Sequence, residues 1–305
     1  MSPDYTADSL LRLAKQFHAK KQLGQHFLVD PDQLERIAAA LTLTPQDNVL
    51  EIGPGLGFLT AYLAASGAEV TAVELDAAVL AQLEQEQIGN VHLVHGDFLA
   101  YDLCQLTGHL SSGSKLKVAG NVPYQITSKI IAHLFGELDK PSPWVGEIDR
   151  VVLTVQLEVA RRFIAAPGTE DYSQISILVN YYSIPTLIDV VPAGSFFPVP
   201  QVDSAVVAFD VRRAPAVTCQ NMRLFRQLVQ AGFRSRRKMF RNNLSFLSLT
   251  QDEVSAVFRN LQMDPQIRAE RLSLEQFARL CDAFSSLIGD RQCSVETQHK
   301  VSHSA

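Results

Sequence analysis

The 305-residue chain has no apolar run approaching the roughly 20 residues that a membrane-spanning helix requires. Its opening, MSPDYTADSLLR, lacks the basic start and apolar core of a signal peptide, so a cytoplasmic location and no membrane partner are expected. Cysteine is scarce: Cys104, Cys219, Cys281 and Cys293 stand far apart, with no CxxC pair and no histidine cluster beside them. That spacing matches neither the common zinc motifs nor a disulfide framework, so the four are expected to be reduced packing residues and no metal is expected. Basic charge is also in deficit. Against 32 Asp/Glu there are 27 Lys/Arg, a net charge of -5 that taken alone argues against a nucleic-acid binder.

The average conceals an asymmetry. Residues 1–200 hold 12 Lys/Arg and 22 Asp/Glu, while residues 201–305 hold 15 and 10. Residues 211–251 carry nine of the basic residues and no acid. A solvated helix face ordinarily mixes both signs, so Arg234, Arg236, Arg237, Lys238 and Arg241 are candidates for phosphate contacts on a polyanion.

What is present in abundance is alternation. Asp30 and Pro31 form a helix start, followed by apolar residues at helical spacing. The short apolar runs VLEI, VTAVEL and VVLTV read as strands buried on both faces of a parallel sheet, with helices between them. The fold class expected is α/β, a doubly wound Rossmann-like domain followed by a smaller all-helical one. Two β-rich runs, Ile175–Tyr182 and Ser204–Val211, are expected to pair as a hairpin-like edge. The divisions expected are an N-terminal arm 1–30, an α/β domain 31–213, a helical domain 214–288 that carries the basic stretch, and a flexible tail 289–305.

The first strand of the sheet runs into Glu51-Ile52-Gly53-Pro54-Gly55-Leu56-Gly57, directly before a helix. Glycines there let the backbone approach a ligand at the carboxyl edge of the sheet. The dinucleotide fingerprint GxGxxG would need glycine where Phe58 stands, so a cofactor without phosphates fits better. The next strand ends in Glu74, placed to accept hydrogen bonds from both ribose hydroxyls, and the third in Asp97, placed to receive the exocyclic amine of an adenine.

After the fourth strand comes Asn121-Val122-Pro123-Tyr124, again at the ligand edge. The N6 lone pair of adenine is delocalised into the ring, and an enzyme that alkylates it must localise it. The Asn121 side-chain oxygen and the Val122 carbonyl can each accept one N6 hydrogen, Pro123 fixes the turn, and Tyr124 offers a face for stacking. The amine becomes acidic once alkylated, so no general base is required. In Phe196-Phe197-Pro198-Val199-Pro200, Phe196 could cover the other face of an extruded base; core packing is the alternative.

With these segments in place, the sequence resembles the ribosomal RNA adenine N6,N6-dimethyltransferases, specifically the bacterial small-subunit (16S) enzymes. The resemblance runs from about Lys20 to Phe284 and rests on KKQLGQHFLVD, EIGPGLG, VELD, GDFL, GNVPY, FFPVPQVDSAVV and FRSRRKMFRNNL. It implies that His26 and Leu28 join Gly53, Glu74, Asp97 and Asn121 in binding S-adenosylmethionine, and that Asn121, Tyr124 and Phe196 hold the target base. The implied substrate is a pair of adjacent adenosines in the 3′-terminal hairpin loop of the RNA, the implied partner the small ribosomal subunit, with no obligate protein partner. Val122 stands where the family usually has Leu or Ile, which is immaterial if only its carbonyl acts. A resistance-type enzyme acting on large-subunit RNA is the nearest rival. A non-catalytic assembly or transcription factor on the same fold and a dinucleotide oxidoreductase are the others.

Overall fold

The computed structural model describes residues 3–104, 115–236 and 238–302, with only the backbone for Lys21 and residues 290–302. Chain order runs α1 (Ala7–Gln16), β1 (Phe27–Leu28), α2 (Pro31–Ala40), β2 (Asn48–Ile52), α3 (Phe58–Ala65), β3 (Glu69–Glu74), α4 (Ala77–Glu84), β4 (Val91–His95), β5 (Leu116–Asn121), α5 (Thr127–Phe135). There follow β6 (Gly136–Glu137), β7 (Lys140–Pro141), β8 (Ile148–Gln156), α6 (Leu157–Ile164), α7 (Gln174–Tyr182), β9 (Ser183–Val191), β10 (Phe196–Phe197), β11 (Ser204–Val211), α8 (Met222–Arg234), α9 (Gln251–Asn260) and α10 (Leu274–Ser302).

The main sheet has the order β4-β3-β2-β5-β8-β11-β9. Its first five strands are parallel, and β11 and β9 complete it antiparallel. The strands read as buried are so: Val49, Leu50 and Ile52 of β2 and Val151 to Leu153 of β8 are almost wholly inaccessible, as a sheet covered on both faces requires. The helix start at Asp30 is realised, its carboxylate accepting from Gln33 N at 3.3 Å with Pro31 in the first turn. Strand order reverses between β2 and β5, and the carboxyl ends of β2, β3 and β5 meet there.

The edge differs from the expected hairpin. Residues Gln174–Tyr182 are helical, and the strand that pairs with β11 is the next segment, β9. The run ISILVNYY is apolar except for Ser176 and Asn180, a short pattern that fits a buried helix as well as a strand. Local chemistry decides for helix: Ser173 N donates to Ser176 Oγ at 3.0 Å and Ile177 N to Ser173 O at 3.3 Å. Strand β9 contains Pro185, tolerated because β9 is an edge.

The chain divides into two compact units: residues 1–136, 141–164 and 182–213, and residues 137–140, 165–181 and 214–305. The second unit thus takes in 165–181, a segment that the division expected from the sequence places in the α/β domain. Its anchors are Tyr172 Oη to Leu272 O at 3.0 Å and Gly168 N to Glu270 O at 2.7 Å. Phe240 packs edge-on against Phe258 and Phe277 in the core of this unit. Helix α10 continues through the expected tail to Ser302, and residues 303–305 lie outside the described residues. Cys219 and Cys281, 62 positions apart in sequence, meet here: their sulfurs and an Asp282 oxygen lie within 4.8 Å of one another. Burial pushes both thiols up, Cys281 to about 12, which keeps them protonated. Among the described residues, no helix is long and apolar enough to cross a membrane.

Candidate active site

In the first unit, the carboxyl ends of β2, β3 and β5 open onto a cavity of about 220 Å³. His26, Leu28, Gly53, Glu74, Asp97, Asn121, Val122, Pro123 and Tyr124 all line it. Residues separated by nearly 100 positions are therefore gathered at one place, and each strand contributes its terminal residue.

The glycine turn is shaped for a ligand. Gly53 has φ +65°, and a Cβ built on it would meet nothing within 4 Å, so the backbone faces open space. Gly57, at φ +79°, is required for a different reason: a Cβ would fall 2.3 Å from Leu83 Cδ1. Glu74 is not the exposed strand-end acid that its position in the sequence suggests. It is 6 % exposed, and its carboxylate accepts from Gly55 N at 3.2 Å and Asp76 N at 2.8 Å. Burial nonetheless raises its pKa. Asp97 is exposed and bonds Leu99 N at 2.9 Å.

Glu51, which the sequence presents only as part of the glycine motif, also lines the cavity. It is 1 % exposed, and Oε2 has no hydrogen-bond partner. Burial, with the adjacent Glu74 charge adding to it, lifts its pKa to about 8, although the nearby Thr60 hydroxyl opposes the shift without completing a hydrogen bond. No motif rule flags such a residue, because its singularity is the missing partner.

The NVPY turn is held from two sides. Asn121 Nδ2 donates to His26 O at 2.8 Å, which orients the amide and leaves Oδ1 without a hydrogen bond among the described residues. Val122 N donates to Thr154 O at 3.3 Å, while the Val122 side chain is buried. Tyr124 Oη lies 2.7 Å from Ser204 Oγ, and its ring lies parallel to His26, centroids 5.8 Å apart. His26 Nδ1 donates to Pro198 O at 2.7 Å. His26 thus ties the arm, the NVPY turn and the FFPVP segment together, a role that no local signal in the sequence announces.

The arm itself is pinned. Strand β1 pairs with β10, Ser195 Oγ donates to Asp30 Oδ2 at 2.8 Å, and Lys20 Nζ and Gln25 Nε2 reach Asp76 at 2.6 and 3.1 Å. Burial would raise the Asp76 pKa, but the bonds from Lys20 and Gln25 outweigh it and hold the carboxyl below the usual range.

Two groups of expected site residues sit differently. Phe196 is 1 % exposed, packs in the core cluster and does not line the cavity. Side chains alternate along a strand, so pairing β10 with β1 turns Phe196 inward and leaves Phe197 partly exposed. In the second unit Arg236 donates to Glu170 O at 2.6 Å and pairs with Glu270 at 3.6 Å, and Arg241 donates to Ser255 Oγ at 3.1 Å. Both help to hold their own unit together. Arg234 and Lys238 are in no ion pair among the described residues, and Arg237 lies outside them.

A mostly parallel sheet with this switch point, a glycine turn and an acid at the end of the neighbouring strand defines a Rossmann-like fold with a nucleoside-binding edge. Among solved structures the chain is similar to a dimethyladenosine transferase from Plasmodium falciparum, with TM-score 0.68, 24% identity and coverage of 82% of this chain and 94% of that one. It is also similar to the 23S rRNA methyltransferase ErmE, with TM-score 0.64, 26% identity and coverage of 85% and 99%. The family model described as ribosomal RNA adenine dimethylase matches residues 16–286, and the chain belongs to that family. Among curated relatives, the ribosomal RNA small subunit methyltransferase A of Pelotomaculum thermopropionicum is 41% identical, covering 87% of this chain and 91% of the relative. That of Synechococcus elongatus is 40% identical, covering 86% and 94%.

Proposed function

We propose that this chain transfers methyl groups from S-adenosylmethionine to the N6 amines of two adjacent adenosines in the 3′-terminal hairpin loop of 16S ribosomal RNA. The work would be done in the cytoplasm on the small ribosomal subunit, as part of ribosome biogenesis. The relatives named as small-subunit methyltransferases, together with the family, support the RNA and the subunit.

The residues fit the cofactor. Gly53 presents bare backbone to the cavity, Glu74 offers a carboxylate suited to ribose hydroxyls, and Glu51 leaves a buried oxygen unpartnered at its edge. His26, Leu28, Asp97 and Asn121 complete the lining that would hold it. When bound, S-adenosylmethionine supplies a methyl group activated by its sulfonium.

The protein's own task is to prepare the amine. The observation that carries the reading is the Asn121 amide, fixed through Nδ2 to His26 O so that Oδ1 remains an acceptor. With the Val122 carbonyl it offers two acceptors for the two N6 hydrogens, which draws the nitrogen lone pair out of conjugation. The Tyr124 ring, held by Ser204 and His26, supplies a stacking face. After alkylation the amine proton passes to solvent, and no side chain need abstract it beforehand.

The test is methyl transfer from radiolabelled S-adenosylmethionine to purified unmethylated small and large subunits. Label in N6,N6-dimethyladenosine of the small-subunit RNA alone is the expected result. Label confined to large-subunit RNA would favour a resistance-type activity, and no label would favour a non-catalytic binding role.

A further inference from the structure

We propose that an open groove beside the active site is a docking subsite for the unpaired nucleotide adjoining the target adenine; this rests on the RNA substrate proposed above. The groove, of about 660 Å³, lies in the first unit between the end of α1 and the β10 segment. Lys15, Phe17, His18, Lys20, Phe197 and Pro198 supply most of its lining.

Three features point to a nucleotide. The first is composition: two aromatic rings and two lysines with no carboxylate in the lining, the pairing of stacking surface with positive charge by which proteins hold single-stranded nucleic acid. Lys20 shares its charge with Asp76, whereas Lys15 and His18 are exposed at the rim. The second is rigidity. Phe17 is braced edge-on by the buried Phe27, centroids 6.1 Å apart, and Phe197, on the paired strand β10, packs partly buried against the core. Rings already held in place lose little freedom when a base stacks on them. The third is continuity with the reaction site. Gln22 lines both the groove and the cofactor cavity, and Pro198, in the groove wall, accepts from the His26 ring that lies against Tyr124.

A base on Tyr124 and its neighbour in the groove would straddle the His26–Pro198 link. Such a subsite would let the enzyme select an unstacked loop, since a nucleotide still paired in a helix cannot enter it. It would also give Phe197 a purpose in the FFPVP segment that Phe196, being core, does not have.

The test uses the full chain and unmethylated small-subunit particles. In the first arm His18 is replaced by the photo-crosslinker p-benzoylphenylalanine, and cross-linked nucleotides are mapped by primer extension. A cross-link next to the modified adenosines is expected; cross-links only elsewhere in the RNA, or only to ribosomal proteins, overturn the proposal. In the second arm Phe197→Ala should raise KM for particles by about 5-fold or more, as loss of one stacked base implies, with kcat and S-adenosylmethionine affinity unchanged. Lys15→Gln, at an exposed position, should flatten the dependence of log affinity on log salt by about 0.7 and remains decisive if Phe197→Ala does not fold. Wild-type methylation with no such cross-link and no change in KM or salt slope refutes the groove alone. Absence of wild-type methylation refutes the RNA reading and the groove with it.

Discussion

Replacing Glu51 by Gln should remove a pH-dependent weakness from the fold. Glu51 is wholly buried, and its carboxyl titrates at about 8 instead of the ordinary 4.5 because the charged form is stripped of water and faces Glu74. Between those two values the native state keeps a proton that the unfolded chain has released. Stability therefore falls as pH rises through this window, and levels off once the native carboxyl also ionises. At about 1.36 kcal/mol per pH unit, going from pH 5 to pH 8 should cost the wild type roughly 4 kcal/mol through this one group. A glutamine side chain has the same shape and no proton to lose, so the Glu51→Gln variant should escape that cost. Urea denaturation of both proteins at pH 5, 6, 7 and 8 measures it, and using the difference between them cancels the other titrating groups. The variant should gain steadily on the wild type as pH rises. A difference constant across that range would mean that Glu51 is ionised in the folded protein, and that its charge is compensated by a partner not seen among its neighbours.

The remaining predictions concern ligands. Asn121→Ala should lower the methylation rate by about 100-fold or more while RNA affinity stays nearly constant, because the lost acceptor acts on the reacting amine; a proportional loss of RNA affinity would make Asn121 a docking contact. Glu74→Gln should weaken S-adenosylmethionine binding about tenfold or more in calorimetry, and unchanged affinity would remove Glu74 from the cofactor site. Arg236→Gln should cost about 1 kcal/mol of stability through loss of the Glu170 and Glu270 contacts, with the salt dependence of RNA binding unaltered. Lys238→Gln should do the reverse, leaving stability alone and flattening the salt slope by about 0.7–0.9; parallel slopes for wild type and variant would exclude Lys238 as a phosphate contact.

Much of the catalytic unit is legible because its signals are local. Strands β2, β3 and β8 announce themselves as short β-branched runs, and the glycine turn, Glu74, Asp97 and Asn121 follow from where such strands end. What escapes the sequence depends on partners distant along the chain. Whether Phe196 or Phe197 faces the core is set by the register of β10 on β1, nearly 170 positions away. Glu74 is tied to the glycine turn through Gly55 N, and the burial and isolation of Glu51 arise only once the surrounding elements are assembled. The basic stretch looks uniform, yet Glu170 and Glu270 single out Arg236, because the 165–181 segment folds with the helical unit. Helix α7 reads as a strand in the sequence because a short, largely apolar run cannot be told from a buried helix by periodicity alone.

The most direct measurement of the proposed reaction is mass mapping of the 3′-terminal region of 16S RNA from cells with and without this protein. Two adjacent adenosines should each be heavier by two methyl groups when the protein is present, and unmodified when it is absent. Unaltered masses at that pair on removal of the protein, or a methyl difference found only in large-subunit RNA, would contradict the assignment of Asn121–Tyr124 to the small-subunit adenosines.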